Sequence, residues 1–273
     1  MLHVSAKTNW WFLHLSDSSG AEAWGEGSLN GWEPVLDGLS AHFKDQWLGL
    51  PLDEAVARVR STSVAAAGLA GSCVSSAMLQ ALLSLRAQAA GQPPHALLGP
   101  LQRTSLPLYA NINRATTERS PQGFVATARR AMAQGYTRFK AAPFDGLTPA
   151  LCASAEGRAR IHHGIDCMLA LREAVGQLLA DAWTDLEAAR LHWFECPLAE
   201  THANWKAIAR IRRAANDQGV LLAAAETQVG LEAFQSLFDE GLYDVVMPDV
   251  KYCGGPWEML RIAQRAAEHG VGF

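Results

Sequence analysis

The chain has 273 residues, of which 49% are hydrophobic and 18% are charged, and its formal net charge is −4 at pH 7. This composition is typical of a folded globular protein with a sizeable core and room for two domains. The sequence has no basic stripe of the kind that binds nucleic acid or a membrane surface, and no apolar run of the ~18 residues that span a bilayer. Five cysteines without C-x-x-C spacing, and an N-terminus without a signal-peptide pattern, predict a cytoplasmic protein with reduced thiols.

The first third of the chain predicts strands followed by helices. Residues 3–15 alternate and are rich in β-branched and aromatic side chains, residues 16–20 form a turn, and residues 21–26 are the predicted hairpin partner. From residue 36 to about residue 90 the pattern is helical and ends in a segment rich in glycine and proline. We therefore predict a separate α+β domain over residues 1–104.

A glycine-rich loop, residues 25–31, separates the predicted hairpin from the helices. Trp24, Trp32 and Glu33 lie on or beside this loop. Two interpretations stay open: these side chains reach a ligand, or they are ordinary packing and surface residues.

The second domain begins with a predicted strand over residues 106–113. Asn113 and Arg114 follow its apolar run, and an amide beside a guanidinium suits a hydroxylated anionic ligand. The alternative is that both are turn residues before the next helix. That helix is predicted over residues 121–134, with Ser120 as its N-cap.

A second strand is predicted over residues 137–143, and Lys140 lies near its end in an apolar context. Desolvation or a nearby cation lowers a lysine pKa and makes the amine a usable base. The alternative is a lysine whose head group reaches solvent from the strand end. In the helix predicted over residues 161–175, His162–His163 are adjacent and point in different directions, which indicates a structural pair.

Three short apolar runs in the last third each end in an acid: Glu195, Glu226 and Asp249. Runs of this length are typical of strands buried on both faces. Apolar residues at helical spacing lie between them, at residues 204–218 and 231–240. Alternating strands and helices predict a parallel sheet with crossover helices.

The spacing of the three acids indicates a (β/α) barrel. Glu195 and Glu226 are 31 residues apart, and Glu226 and Asp249 are 23 apart, whereas a (β/α)₈ barrel uses about 30 residues per unit and has its chemistry at the carboxyl ends of its strands. Carboxylates that converge there repel one another unless a cation or shared protons neutralise them, and all-oxygen ligands favour Mg²⁺ or another hard ion. The alternative for any single acid is a helix N-cap.

The motifs WFECP, AAAETQVG and PDVKYCGG, in this order, resemble the enolase superfamily, in its mandelate racemase/muconate lactonizing enzyme-like branch. Upstream, YANINR and FKAAPFDG are similar to its acid-sugar dehydratase-like members. The resemblance implies an α/β fold, namely a (β/α) barrel of the enolase type over residues 105–273 with an N-terminal α+β capping domain over residues 1–104. The early loop of that domain helps to choose the substrate in this family.

The resemblance also implies a site and a reaction. The implied site consists of the metal ligands Glu195 and Glu226, the catalytic residues Lys140 and Asp249, and the substrate-binding residues Asn113, Arg114 and Trp32. The reaction is Mg²⁺-dependent abstraction of the proton α to a carboxylate through an enediolate, and dehydration of a small-molecule sugar acid is favoured. The alternatives are a racemase or epimerase of a hydroxy acid, or a catalytically inactive truncated homologue. A homo-oligomer stays open.

The chain departs from the family pattern at two positions. The first metal ligand of the family is an Asp on the third strand. Asp181 is either this ligand or a residue on a helix, because it precedes Glu195 by only 14 residues and its neighbours have helical periodicity. In the racemase branch, Asp249 pairs with a His at the end of the seventh strand, but His269 lies on the preceding predicted helix. Lys251, a rival catalytic lysine, falls past the functional position on a loop.

The number of residues also departs from the pattern. Residues 106–273 provide room for about five and a half βα units, whereas a closed barrel has eight. We therefore expect an incomplete barrel that resembles a truncated form of the family fold.

Overall fold

A computed structural model describes residues 1–5, 8–62, 68–144, 146–175 and 192–273. The two interpretations of Asp181 fall outside these ranges. The chain forms two compact units: Met1–Thr104 together with Ala224–Phe273, and Ser105–Ala223. The break after Thr104 coincides with the predicted start of the second domain, and residues 224–273 group with the N-terminal segment.

The N-terminal part of the first unit contains two antiparallel hairpins followed by helices. These elements are β1 (Leu2–Ser5), β2 (Thr8–Trp10), β3 (Phe12–Ser16), β4 (Glu22–Glu26), α1 (Glu33–Trp47), α2 (Leu52–Ser61) and α3 (Gly68–Ala90). The predicted hairpin is present as β3 and β4, but the segment before it is divided into shorter strands. At Trp11 the backbone N–H donates to Ser28 Oγ at 2.9 Å, so this residue bonds to the loop after β4 and separates β2 from β3.

Helix α3 is the central element of this unit. Its 18-residue window of highest hydropathy averages 1.4, and 78% of that window is buried inside the structure. By length and composition the helix could cross a membrane, although its apolar residues are interrupted by polar ones and form no continuous run. A helix that is apolar on all sides and buried to this extent is also typical of the core of a folded domain. The buried side chains of α1 and α2 pack against it.

The second unit contains short parallel strands and their crossover helices. These elements are β5 (Ala110–Asn111), α4 (Pro121–Ala133), β6 (Phe139–Lys140), α5 (Pro149–Cys152), α6 (Ala155–Val175), β7 (Trp193–Glu195), α7 (Trp205–Asn216) and β8 (Leu221–Ala224). The pairs β5–β6 and β7–β8 are parallel, as predicted. Ser120 caps α4, because its hydroxyl accepts the Gly123 N–H at 3.1 Å, which confirms the predicted N-cap.

Strand β5 is much shorter than the predicted strand over residues 106–113. Leu106 and Leu108 are each 70% exposed, although the sequence predicted that both lie in the first barrel strand. Pro107 lies between them and has no backbone N–H for a ladder hydrogen bond. The core of this unit instead lies between α4, α6 and the strand ends, where Phe124, Phe139 and Leu171 are buried.

The C-terminal part of the first unit contains α8 (Gly230–Asp239), β9 (Val245–Val246) and α9 (Pro256–Glu268). These elements agree with the predicted helix–strand–helix order. A parallel bridge joins Val245 to Gly272. Tyr252 and Trp257 pack against the core formed by α1, α2 and α3.

Candidate functional site

An ion pair forms at the carboxyl ends of β6 and β7. Lys140 Nζ contacts Glu195 Oε2, and the two side chains are 31% and 20% exposed. The other carboxylate oxygen, Glu195 Oε1, is buried and has no hydrogen-bond partner among the described residues. A buried polar oxygen without a partner is unfavourable, so this atom is available to a ligand.

The backbone turns sharply beside the acids of β7 and β8. Glu195 lies opposite Ala223 in the parallel register. Cys196, the next residue, has φ 47°, and its N–H donates to the Ala223 carbonyl at 2.9 Å. Ala225, just before Glu226, has φ 75°. Side chains other than glycine rarely adopt positive φ, and such strain of about 1–3 kcal/mol concentrates at functional sites.

Glu226 lies on the exposed turn that follows β8. Its carbonyl accepts a long hydrogen bond, 3.5 Å, from the N–H of Asp249, and the Ala224 carbonyl accepts the N–H of Met247 at 2.9 Å. The segment that carries Glu226 therefore runs beside the segment that carries Asp249 within the first unit.

Asp249 is held by a residue two positions further along the chain. Its Oδ1 accepts the backbone N–H of Lys251 at 2.9 Å, and its Oδ2 lies 3.2 Å from Lys251 Nζ. Lys251 lies on the turn after β9, which confirms its predicted place past the strand. The sequence interpretation treated Lys251 as a rival to Asp249, whereas the structure pairs the two side chains.

The protonation of this turn follows from its burial and charge. Burial alone would lower the pKa of Lys251, but the charges of Asp249, Tyr252 and Glu26 raise it, and the net pKa is above the usual lysine value. Burial raises the pKa of Tyr252, an effect that the ammonium of Lys251 opposes. At neutral pH Lys251 is therefore an ammonium, and Tyr252 beside it is a neutral phenol.

Asn113 connects the segments that follow β5 and β6. Its Oδ1 accepts hydrogen bonds from Arg119 Nη1 at 2.8 Å and from the Ala142 N–H at 3.2 Å. This carbonyl oxygen therefore has a structural use, which sequence reasoning missed. Arg114 is exposed. The substrate-binding roles of Asn113 and Arg114 stay predictions.

The aromatic loop residues differ in their surroundings from the acid beside them. Glu33 is 8% exposed, and its Oε1 accepts hydrogen bonds from Asn9 Nδ2 and the Gly31 N–H, both at 3.0 Å. Glu33 is therefore a packing residue at the start of α1. Trp24 and Trp32 are 59% and 54% exposed, so Trp32 keeps the exposure that its predicted substrate contact needs.

The described residues fit a divalent cation in one respect. No three His, Cys, Asp or Glu side chains form a ligand cluster in the part of the chain that the structure describes, and Asp181 lies outside that part. The feature that fits is the buried, unpartnered Oε1 of Glu195, because a carboxylate oxygen is a preferred ligand of hard cations. His163 Nε2 lies 2.7 Å from the Arg119 carbonyl, which supports its structural interpretation.

Sequence reasoning also missed Tyr252. Its ring lies beneath the Lys251 ammonium, 4.8 Å from Nζ to the ring centroid, and its hydroxyl donates to the Ser28 carbonyl at 3.4 Å. The only signal in the sequence was its position in the PDVKYCGG motif, next to Lys251.

Comparisons with known proteins identify the family. Residues 123–273 match the family model described as "Enolase C-terminal domain-like". The D-galactonate dehydratase of Xanthomonas campestris pv. campestris is 26% identical over 98% of this chain and 71% of its own length. A candidate dehydratase from Mesorhizobium loti has a TM-score of 0.84 at 20% identity, over 99% of this chain and 76% of that one.

A third relative is a candidate galactarate dehydratase from Agrobacterium radiobacter, whose structure contains sodium and L-malate. It has a TM-score of 0.77 at 23% identity, over 96% of this chain and 69% of that one. The fold of these relatives is the (β/α) barrel of the enolase type, to which the parallel strands and crossover helices described above correspond. The chain therefore belongs to the enolase superfamily, in the mandelate racemase/muconate lactonizing enzyme-like branch.

Proposed function

We propose that the chain is a Mg²⁺-dependent dehydratase of a small sugar acid. The observation that carries the proposal is the Lys140–Glu195 pair with its buried, unpartnered carboxylate oxygen, at the carboxyl ends of parallel strands in an enolase-superfamily chain. The names of the relatives, which refer to galactonate and galactarate, support a sugar acid as the substrate class. We assign residues 1–104 as the capping domain and residues 105–273 as the catalytic domain.

In this proposal Glu195 and Glu226 hold the metal ion. Glu195 ends β7, Glu226 follows β8, and these strands are parallel neighbours. A divalent ion supplies electrostatic stabilisation of the charge that develops on the substrate carboxylate. Asp181 stays the candidate for a third ligand.

The chain's own residues perform the proton chemistry. Lys140 either binds the substrate carboxylate as an ammonium or, when neutral, accepts the α-proton; both roles are compatible with its place at the end of β6. Asp249, which follows β9, is the second catalytic group. It either orients the reacting groups or accepts a proton from the substrate. Asn113, Arg114 and Trp32 are the proposed substrate contacts, of which Arg114 and Trp32 are exposed.

Dehydration and racemisation diverge after the same first step. Loss of the α-proton gives an enediolate. Departure of the β-hydroxyl, with a proton, as water then leaves an enol that becomes a 2-oxo-3-deoxy acid. Return of a proton to the opposite face of the enediolate gives the epimer instead. We favour dehydration because the curated relative is a dehydratase and its similarity extends over 98% of this chain.

The proposal includes the chain's partners and its cellular location. The net charge of −4 and the lack of a basic stripe support free sugar acids as partners, rather than nucleic acid or an anionic membrane surface. A cytoplasmic location fits a small soluble metabolite as substrate. A homo-oligomer is compatible with these features.

The test is incubation of the purified chain with Mg²⁺ and a panel of aldonic and aldaric acids in D₂O, followed by ¹H NMR. A dehydratase gives a 2-oxo-3-deoxy product that carries deuterium at C3. A racemase or epimerase exchanges the C2 proton and gives no 2-oxo product. An inactive homologue changes no signal, and that result would overturn the proposed function.

A further inference from the structure

The carboxylate of Asp249 is fixed on both oxygens by one residue. Lys251 supplies its backbone N–H to Oδ1 at 2.9 Å and its ammonium to Oδ2 at 3.2 Å. The Asp249 and Lys251 side chains are only 24% and 21% exposed. A charge-assisted hydrogen bond in such a place is stronger than one in open solvent, and two bonds fix the carboxylate plane as well as its position.

Lys251 is itself held in a defined place. Its ammonium lies 4.8 Å from the ring centroid of Tyr252, within the range of a cation–π interaction. Tyr252 is fixed at two points, because its hydroxyl donates to the Ser28 carbonyl and its own carbonyl accepts the hydroxyl proton of Ser72. Ser72 lies on α3, so the turn after β9 is tied to the main core helix of this unit.

The surroundings of Lys251 keep it protonated. Asp249 and Glu26 are acids whose charges favour the ammonium over the neutral amine, and this effect exceeds that of burial. An ammonium at neutral pH cannot accept the α-proton of a substrate. The role that the geometry leaves for Lys251 is therefore to act through Asp249.

We propose that Lys251 is a positioning residue that holds the Asp249 carboxylate in the correct orientation toward the substrate. This inference rests on the proposed function, because it assumes that Asp249 is a catalytic group. In the racemase branch the sequence resemblance pairs this acid with a histidine on the following strand. In this structure Lys251, two residues further along the chain, contacts both carboxylate oxygens of Asp249.

The test is a double-mutant cycle on turnover. Five proteins are compared with the sugar acid found in the panel: the parent, Lys251→Met, Lys251→Arg, Asp249→Asn and the double variant Asp249→Asn/Lys251→Met. Misplacement of a catalytic group costs on the order of 10²-fold in rate, so we expect Lys251→Met to lower kcat by about that factor with little change in KM. Lys251→Arg keeps the positive charge and should therefore retain part of the kcat that Lys251→Met loses.

The double variant distinguishes positioning from other roles. If Lys251 acts only through Asp249, its removal has no further effect once Asp249 is Asn. Lys206→Met, on the exposed face of α7, is the matched control for loss of a lysine charge and should turn over like the parent. Thermal melts of all variants measure folding separately, and Lys251→Gln replaces Lys251→Met if that variant does not melt cooperatively.

Two results would overturn the inference alone. One is unchanged kcat in Lys251→Met while Asp249→Asn loses activity. The other is a multiplicative loss in the double variant, because it would mean that Lys251 acts independently of Asp249. No product from the parent with any acid in the panel would instead overturn the proposed function, and the catalytic role of the pair with it.

Discussion

Gly25→Ala is expected to separate β4 from α3. A Cβ built on Gly25 would lie 1.8 Å from the carbonyl oxygen of Ala77, and 2.6 Å from its carbonyl carbon. A close carbon–oxygen contact measures about 3.3 Å, so β4 would have to move by roughly 1.5 Å. The obstacle is backbone of the central helix and cannot rotate away as the end of a side chain can.

The magnitude follows from this geometry. Overpacking typically costs 1–3 kcal/mol and occasionally more, and because two backbones collide we expect about 3 kcal/mol. For a chain of this size 1 kcal/mol corresponds to about 2–4 °C in Tm, so Tm should fall by roughly 6–12 °C. Gly38→Ala is the matched control, since Gly38 is exposed on α1 and a Cβ there meets nothing within 4 Å.

The assay is a thermal melt followed by circular dichroism for the parent and both variants. Alanine is favoured over glycine inside a helix by about 1 kcal/mol, so Gly38→Ala should raise Tm while Gly25→Ala lowers it. Equal Tm values for Gly25→Ala and the parent would refute the close packing of β4 on α3.

Three further predictions concern stability. Ser120→Ala should cost about 1 kcal/mol in urea unfolding through loss of the α4 cap, and Ser120→Gly only a few tenths; equal costs would contradict the cap. Phe234→Ala removes a side chain that is 0% exposed and should cost about 3–5 kcal/mol in the same assay, so a loss below 1 kcal/mol would argue against this core. The pKa of Lys251 is raised in the folded state, so its stabilisation is fully present below the unfolded lysine pKa of about 10.4 and is lost as pH rises through the folded pKa. Urea unfolding between pH 9 and 12 gives the free energy of unfolding at each pH. This free energy should fall with pH more steeply in the parent than in Lys251→Met, and equal slopes would contradict the prediction.

The sequence predicted the parallel elements well because their signals are local. An apolar run that ends in an acid at Glu195 requires only that a buried strand reaches a polar edge. The cap at Ser120 was visible for the same reason, since capping depends on a residue type at one position. The strand predicted over residues 106–113 is mostly absent because an apolar run does not show where a strand finds a partner, and Pro107 has no backbone N–H for the ladder.

The site was less predictable because its contacts depend on the fold. Lys140 and Glu195 are 55 positions apart in the sequence, and only the adjacency of β6 and β7 ends brings them together. The pairing of Asp249 with Lys251 is local, yet the same two residues could have pointed apart on a regular strand or helix. Tyr252 became informative only when its contacts with Ser28 were known.

Isothermal titration of the chain with Mg²⁺ tests the central claim most directly. The parent should bind Mg²⁺ at a single site, and the Glu195→Gln/Glu226→Gln double variant should lose that binding while it still melts cooperatively. Glu240→Gln, which removes one exposed carboxylate just after α8, is the control and should bind like the parent. Unchanged Mg²⁺ affinity in the double variant would contradict the assignment of Glu195 and Glu226 as the metal ligands.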